Sequence, residues 1–379
     1  MQKNLKEERV GILGKGQLGI MLGQAAAKLG VPVWFYEPST QVLSEGDTWQ
    51  GTEKILATGK DAWDRFSTSC SVYTYESEHV PHDFLLPLSA QHKLNPPFKA
   101  VQETGHRILE KQCFKDLRIP TAPWKPVTDQ PSFIAAVTAI GLPAILKTAT
   151  QGYDGKGQQW LRSQADVDAA KIESGREYVL EGVIHFELEF SVIGARDAKG
   201  NEEFYPIGEN LHEKGILRTT LVPASLPDKV TEAARGFLSE ILQHYNYVGV
   251  MALECFYSNG NLYANELAPR VHNSGHWSIE GSNCSQFEQH IRAITGRPLV
   301  AIDLVSQNVG MVNCLGVLPP DTVRADWPKG LCFYYDYHKG PRPNGGHEPG
   351  RKLGHVTVVS DDRDMVKNEL ARLRIDCKT

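Results

Sequence analysis

The chain has 379 residues, more than one compact core usually holds, which favours two or three domains. Charged residues make up 22% of it and the formal net charge is -5, so no basic excess of the kind that binds nucleic acid is present. The charged N-terminal segment has no signal-peptide core, and no apolar run has the length of a membrane span. We therefore expect a cytoplasmic protein with no nucleic-acid or membrane partner. Seven cysteines without a C-x-x-C pair predict free thiols.

The first third of the chain alternates between apolar strand patterns and a helical pattern. Val10 to Leu13 is an apolar run, and apolar residues then recur at helical spacing from Leu18 to Leu29. A second apolar run spans Val31 to Tyr36. The order strand, helix, strand predicts a doubly wound parallel sheet. Pro96-Pro97 marks the end of this region.

A glycine-rich turn follows the first strand. Gly14-Lys15-Gly16-Gln17-Leu18-Gly19 fits the pattern G-x-G-x-x-G between a strand and a helix, where backbone N–H groups and the helix dipole favour an anion. Glu37 ends the second strand, where a ribose-binding acid would lie in a dinucleotide site. The pattern leaves three interpretations open: a dinucleotide such as NAD, another phosphate ligand, or a tight turn that binds nothing.

A second glycine-rich segment is more distinctive. Lys147 ends a strand, and the loop Gly152-Tyr153-Asp154-Gly155-Lys156-Gly157-Gln158 follows closely. Three glycines in seven residues let the backbone approach phosphate oxygens and allow the loop to close over a ligand. The loop lacks the G-K-[ST] ending of a Walker A motif. The two lysines favour a phosphate clamp over a plain hairpin loop.

Two acids lie on the strands of a predicted hairpin around Asn259-Gly260. A strict two-residue turn would pair Glu254 with Asn265 and place Glu266 on the opposite face of the sheet. A longer loop or a bulge would pair Glu254 with Ala264 and put Glu266 diagonally on the same face. We expect the second arrangement, because two carboxylates on one face suit Mg²⁺ that also contacts nucleotide phosphates.

A polar cluster, Arg270-Val271-His272-Asn273-Ser274-Gly275-His276, follows the hairpin. His272 and His276 are four residues apart, which raises the question of zinc. Asn-Ser-Gly between them disfavours a helix, and no third ligand is evident. The guanidinium of Arg270, the imidazole of His272 and the amide of Asn273 better suit a small oxyanion.

Taken together, these motifs resemble the ATP-grasp superfamily. The residues that carry this resemblance are Lys147, the 152–158 loop, Glu181-Gly182-Val183-Ile184, Glu189, His212 and the run Asn265 to Arg270. Within the superfamily, further segments are similar to the N5-carboxyaminoimidazole ribonucleotide synthase family: Gly16 to Gly19, Tyr75 to Val80, Arg270 to His276 and Gly350 to His355. The motifs extend over nearly the whole chain, from about residue 11 to 357.

The resemblance implies an α/β fold of three parts. These are an N-terminal Rossmann-like domain (1–100) with the doubly wound parallel sheet, an ATP-grasp domain (101–300) with a mobile subdomain at about 120–185, and a small β-rich C-terminal domain (301–379). It implies a ligase of purine biosynthesis that uses ATP to carboxylate 5-aminoimidazole ribonucleotide with bicarbonate. Carboxyphosphate would be the intermediate, and N5-carboxyaminoimidazole ribonucleotide, ADP and phosphate the products. It also implies one or two Mg²⁺ ions and a homodimer.

Residue roles follow from the resemblance, position by position. ATP would be bound by Arg107, Lys147, Gly152, Tyr153, Asp154, Gly155, Lys156, Gly157, Gln158, Glu181, Gly182, Val183, Ile184, Glu189, His212, Asn265 and Glu266. The imidazole nucleotide would be bound by Gly16, Gln17, Leu18, Glu76, Tyr153, Lys339 and Arg351. Glu254 and Glu266 would hold Mg²⁺. Bicarbonate or carboxyphosphate would be bound by Arg270, His272 and Asn273, and Asp154 would be the base that accepts the amine proton.

Three alternatives remain from the sequence. Another ATP-grasp enzyme, such as a biotin carboxylase-like or formate-using glycinamide ribonucleotide enzyme, would share the ATP clamp and differ in the acceptor pocket. A nucleotide-sensing Rossmann protein would not need paired glutamates or the Arg-His-Asn cluster. An NAD oxidoreductase would need a hydride-transfer site, which the sequence does not reveal.

Overall fold

The structure is a computed structural model. It describes residues 8–46, 54–150, 152, 157–319, 321, 324, 327, 331–340, 347 and 350–377. No helix in these ranges is long and apolar enough to cross a membrane. All seven cysteines are free thiols, as predicted.

The N-terminal sheet has five strands within the described residues, in the order β4-β3-β2-β1-β5. The strands are β1 (Val10–Leu13), β2 (Val33–Glu37), β3 (Val42–Glu45), β4 (Lys54–Thr58) and β5 (Val72–Tyr75). The helices of this region are α1 (Gln17–Lys28), α2 (Lys60–Ser69), α3 (His82–Ala90) and α4 (Phe98–Thr104). The strands β2, β1 and β5 are parallel, as the strand-helix-strand pattern predicts, whereas β3 and β4 add an antiparallel extension.

A smaller antiparallel sheet follows, with four described strands in the order β6-β9-β7-β8. The strands are β6 (Trp124–Val127), β7 (Ala144–Thr148), β8 (Gln158–Leu161) and β9 (Tyr178–Gly182). The helices are α5 (Arg107–Asp116), which precedes the sheet, α6 (Gln130–Ile140) and α7 (Gln164–Ala169). Asp129 begins α6 with a capping box, and Gly141 ends it at φ 83°. The 152–158 loop joins β7 to β8.

The central sheet contains nine described strands, of which eight form the path β15-β14-β10-β12-β13-β16-β18-β17 and β11 pairs with β10. Its strands are β10 (Leu188–Arg196), β11 (Glu202–Phe204), β12 (Gly208–Glu213), β13 (Ile216–Val222), β14 (Gly249–Ser258), β15 (Asn261–Ala268), β16 (Asn308–Leu315), β17 (Cys332–Asp336) and β18 (Lys352–Ser360). The helices are α8 (Asp228–His244), α9 (Ser278–Gly281), α10 (Gln286–Ile294) and α11 (Arg363–Asp376).

The C-terminal strands continue the central sheet. Strand β16 pairs antiparallel with β13, so that Thr219 lies opposite Val312. Helix α11 covers this end of the sheet, with Val366, Leu370 and Leu373 in an apolar cluster. Residues far apart in the chain therefore meet on one continuous surface, where the candidate site lies.

Candidate active site

Two cavities open on the central sheet and share one wall. The nucleotide-side cavity, of about 300 Å³, lies between the small sheet and the central sheet. The acceptor-side cavity, of about 590 Å³, lies between the N-terminal turn and the central sheet. The residues that line both cavities are Arg107, Glu254, Glu266, His272, Asn273 and Lys352. The two cavities therefore adjoin one another at these six residues.

The two strand carboxylates of the wall lie on the same face because of a bulge. The hairpin turn has two residues, with Ser258 opposite Asn261, so of the two predicted possibilities, a longer loop or a bulge, the structure has the bulge. A register shift then makes Asn265 an extra residue of β15. Glu254 pairs with Glu266 directly, and not with the predicted Ala264, which pairs with Cys255. The bulge thus gives the same-face arrangement that we expected, with the acids closer than a diagonal pair.

Glu254 is part of a dense group of ligand-type side chains. Glu266 lies outside that group, with its carboxylate 3.1 Å from Arg107. Burial and the neighbouring Glu266 raise the pKa of Glu254 to about 8. Glu189, His212 and Glu254 bring their ligand atoms within 4.8 Å of one another. The Nδ1 atom of His212 lies 2.8 Å from Glu189. This set of carboxylate oxygens suits a divalent cation bound next to nucleotide phosphates.

On the opposite side of the nucleotide-side cavity, two lysines neutralise the carboxylate of Glu181. Glu181 is buried and lies 2.9 Å from Lys147 and 3.6 Å from Lys111. Trp160 of β8 faces this cavity beside Phe186 and Phe256, whose rings stack at 4.6 Å. The backbone from Glu181 to Ile184 lines the same space. An apolar, aromatic slot next to hydrogen-bonding backbone suits a planar base.

The polar cluster after the hairpin is held in place by partners from other parts of the chain. Arg270 forms a two-pronged ion pair with Glu78, at 2.5 and 2.9 Å. Burial, Arg270 and Lys352 lower the pKa of His272 to about 3, so its imidazole is neutral. Asn273 and Asn313 of β16 exchange two amide hydrogen bonds, of 2.7 and 3.1 Å. The His272 and His276 pair does not form a zinc-type cluster among the described residues.

The N-terminal turn carries an anion of its own. Glu76 accepts hydrogen bonds from the N–H groups of Gly16, at 2.7 Å, and Gly19, at 2.8 Å. Gln17 and Leu18, in the first turn of α1, line the acceptor-side cavity. The N–H groups of a first helical turn have no acceptor within the helix. Lys339 donates to the Gln17 side chain at 2.6 Å, and Arg351 lines the same cavity.

Family models match three consecutive parts of the chain. Residues 7–104 match a ribonucleotide synthetase preATP-grasp domain, and residues 112–287 match an ATP-grasp domain. Residues 310–369 match a phosphoribosylaminoimidazole carboxylase C-terminal domain. The N5-carboxyaminoimidazole ribonucleotide synthase of Pseudomonas aeruginosa is 38% identical over 96% of this chain and 98% of its own length. The chain belongs to the N5-carboxyaminoimidazole ribonucleotide synthase family.

Solved structures of this family have the same fold. The N5-carboxyaminoimidazole ribonucleotide synthetase of Thermus thermophilus is 35% identical and superposes with a TM-score of 0.86, covering 98% of this chain and 99% of its own. The Aspergillus clavatus N5-carboxyaminoimidazole synthase, solved with ADP and 5-aminoimidazole ribonucleotide, is 26% identical with a TM-score of 0.83. It covers 98% of both chains. The family, the fold class and the ligase class predicted from the sequence are confirmed.

The structure gathers most of the predicted site residues of this N5-carboxyaminoimidazole ribonucleotide synthase family member around the two cavities. The nucleotide-side cavity is lined by Lys147, Gln158, Glu181, Gly182, Val183, Ile184, Glu189, His212 and Asn265 as well as the shared wall. The acceptor-side cavity is lined by Gln17, Leu18, Glu76, Gly152, Arg270, Lys339 and Arg351. Gly16 contacts Glu76, and Gly157 is exposed. Four predicted site residues, Tyr153, Asp154, Gly155 and Lys156, lie outside the described residues.

Sequence reasoning missed several residues of the site. Lys352 lines both cavities. Its position next to Arg351 in the C-terminal motif could have identified it as a site residue. Glu78 holds Arg270, although nothing in its spacing indicates that contact. Lys111 could have been found, because it lies one helical turn after Arg107 and therefore on the same face of α5.

Proposed function

We propose that this chain carboxylates 5-aminoimidazole ribonucleotide with bicarbonate at the expense of ATP. The observation that carries the proposal is the wall of six residues common to both cavities. A phosphorylated carboxylate formed at the end of the nucleotide cavity needs no transport, because the amine that captures it lies across this wall. Catalysis is then mainly positioning and neutralisation of charge.

ATP occupies the nucleotide-side cavity in this proposal. Its adenine lies against the Glu181–Ile184 backbone, its ribose contacts Glu189 and His212, and its phosphates meet Arg107, Lys147 and the 152–158 loop. Asn265 and Glu266 line the same end of the cavity. Glu254 and Glu266 hold Mg²⁺, which supplies positive charge to the phosphate oxygens when bound. One or two ions fit this role.

Bicarbonate lies against Arg270, His272 and Asn273. Arg270 is oriented by Glu78 and has N–H groups left for an oxyanion. The neutral imidazole of His272 can donate one hydrogen bond without repelling a cationic neighbour, and Asn313 fixes the Asn273 amide. Bicarbonate attacks the terminal phosphorus of ATP and displaces ADP to give carboxyphosphate. The bond between the carboxyl carbon and the bridging oxygen then breaks, which releases phosphate and leaves CO₂ beside the acceptor. These residues hold the oxyanion while its charge moves.

The acceptor nucleotide lies in the larger cavity. Its phosphate meets the N–H groups of Gln17 and Leu18, with Lys339 and Arg351 supplying positive charge. Glu76 orders this turn through Gly16 and faces the acceptor's sugar. Tyr153 and Asp154 approach from the loop, and Asp154 takes the proton from the amine as the new C–N bond forms. The 152–158 loop thereby serves both substrates.

The test is the rate of bicarbonate-dependent ADP release, measured with and without 5-aminoimidazole ribonucleotide. We expect the acceptor to stimulate release and to be consumed in equal amount. No stimulation would overturn the proposal. Stimulation by glycinamide ribonucleotide with formate, or by biotin, would assign the chain to another ATP-grasp reaction, and NADH oxidation would indicate an oxidoreductase.

We also propose that the protein is a cytoplasmic homodimer, on the strength of the family resemblance. Light scattering coupled to size-exclusion chromatography measures the mass directly. Twice the chain mass of 42.1 kDa is expected, and a monomer at working concentration would contradict it.

A further inference from the structure

Helix α5 presents three charged side chains to strand β15. Arg107, Glu110 and Lys111 lie at positions i, i+3 and i+4, which places them on one face of the helix. Arg107 contacts the Glu266 carboxylate at 3.1 Å. Glu110 and Lys111 are almost completely buried and, unlike Arg107, contact the backbone of β15. Burial of two charged side chains against a strand backbone calls for an explanation.

Their backbone contacts lie on either side of Glu266. The Oε1 atom of Glu110 accepts a hydrogen bond of 2.6 Å from the N–H group of Leu267. The ammonium of Lys111 donates a hydrogen bond of 2.8 Å to the carbonyl oxygen of Asn265, the extra residue of the bulge. A bulge disrupts the ladder of strand hydrogen bonds, and buried backbone groups need other partners.

The bulge decides the face on which Glu266 lies. In a two-residue hairpin without a bulge, Glu254 would pair with Asn265, and Glu266 would point to the other face of the sheet. We propose that Glu110 and Lys111 are positioning residues that clamp the bulge and thereby keep the Glu266 carboxylate opposite Glu254. The inference rests on the proposed function, in which these two carboxylates hold the divalent cation.

Glu110 is the cleaner probe of this clamp. Lys111 also lies near Glu181 and donates to Thr121 at 3.1 Å, so its replacement disturbs the nucleotide cavity as well. Among the described residues, the hydrogen bond of Glu110 goes to the β15 backbone alone. Glu110→Gln keeps an acceptor oxygen at the same place, whereas Glu110→Leu removes it at similar size. Cys113→Ala is the control, because Cys113 is buried on the same helix in the apolar core and, among the described residues, makes no hydrogen bond to the β15 backbone.

The experiment measures two quantities on each folded variant. One is hydrogen exchange at the Leu267 amide, and the other is ADP affinity by calorimetry, with Mg²⁺ and with EDTA. For Glu110→Leu we expect faster exchange at Leu267 and an Mg²⁺ affinity of the protein–ADP complex that is weaker by about tenfold, the effect of one lost buried hydrogen bond. ADP affinity in EDTA should stay unchanged. Glu110→Gln and Cys113→Ala should match the wild type in both measurements.

Lys111→Met provides a second variant in case Glu110→Leu does not fold. It should weaken Mg²⁺ binding and, through Glu181, ADP binding in EDTA. Wild-type Mg²⁺ affinity and Leu267 protection in Glu110→Leu would overturn the inference, as would an equal effect of Cys113→Ala. A wild-type protein whose ADP affinity ignores Mg²⁺ would overturn the metal assignment of the proposed function, a result that does not depend on Glu110.

Discussion

Two buried carboxylates on opposite sides of the nucleotide cavity have opposite electrostatic surroundings. Burial alone would raise the pKa of Glu181, but Lys111 and Lys147 overcome it and lower the pKa to about 2. Glu254 is also buried, yet after burial the largest influence on it is another acid, Glu266, and its pKa rises to about 8. The cations beside Glu181 come from the chain itself, whereas in the proposed function the cation beside Glu254 is bound from solution.

The electrostatic difference between Glu181 and Glu254 predicts different roles for two acids of the same cavity. A buried acid with two cations is a fixed part of the framework, because removing one partner leaves an uncompensated charge. The raised pKa of Glu254, which lies opposite a second acid, means that its ionised form is disfavoured until positive charge is added nearby. We therefore expect changes at Glu181 to affect mainly folding and nucleotide affinity, and changes at Glu254 to affect mainly turnover.

The largest expected effect is that of Glu254→Gln. Loss of a metal-binding carboxylate should lower kcat by about a thousandfold, corresponding to about 4 kcal/mol of lost charge stabilisation. The melting temperature should stay close to that of the wild type. ADP release as a function of Mg²⁺ concentration measures the first quantity, and thermal unfolding the second. Glu181→Gln is the matched comparison and should show the reverse pattern. If ADP release by Glu254→Gln depends on Mg²⁺ concentration as it does in the wild type, the proposed difference between Glu254 and Glu181 is wrong.

Lys111→Met examines the other side of the comparison. Removing one of the two cations at Glu181 should cost about 3 kcal/mol of unfolding free energy, as for other broken buried ion pairs. Denaturant unfolding measures this loss. The double variant Lys111→Met/Glu181→Leu should lose less stability than the sum of the two single losses, because both single changes break the same ion pair. If the loss in the double variant equals or exceeds that sum, the two groups are not coupled as proposed.

Asp154→Asn tests whether Asp154, and not one of the buried acids Glu181 and Glu254, is the catalytic base. A general base contributes about a hundredfold or more to rate, so carboxylation should fall by that factor while ATP affinity changes little. Lys156→Ala on the same loop should do the opposite and weaken ATP binding. Equal losses of carboxylation and ATP binding in Asp154→Asn would argue against its role and return attention to the wall residues.

The smallest expected effect concerns His290, a buried base that contrasts with the two buried acids Glu181 and Glu254. His290 accepts from the Val250 N–H at Nδ1 and contacts Thr74 through Nε2, and burial lowers its pKa to about 3. Between pH 6.5 and 3 the unfolded chain binds a proton that the folded chain does not, so stability is present above pH 6.5 and falls as pH falls. From pH 7 to 5 the wild type should lose about 2 kcal/mol more than His290→Gln in urea unfolding. Identical pH profiles would show that His290 is not involved.

Much of the fold could be predicted because its signals are local. The strand at Val10–Leu13 and the helix after it follow from apolar spacing. The antiparallel β3 and β4 could not be predicted in the same way, because their short pattern does not define a pairing partner.

The candidate site was likewise predictable where the signal is local in sequence, and not where it depends on contacts between distant segments. Motifs contiguous in sequence, such as Glu181–Ile184, line the cavity to which they were assigned. Contacts between distant segments, such as Glu78 with Arg270 and Asn273 with Asn313, depend on how sheets meet and leave no periodic trace. The bulge at Asn265 is of this second kind, since the residues that clamp it lie about 150 positions earlier, on α5.

The Glu76 contacts bear on how glycine-rich fingerprints are used to assign cofactors. A pyrophosphate bound in the dinucleotide manner competes for the same N–H groups that Gly16 and Gly19 donate to Glu76. Part of the anion site expected at 14–19 is thus already occupied by a carboxylate of the same chain, while Gln17 and Leu18 line the acceptor-side cavity. A search for dinucleotide-binding turns can exclude turns of this kind by checking whether an acid some 60 residues downstream accepts hydrogen bonds from the loop.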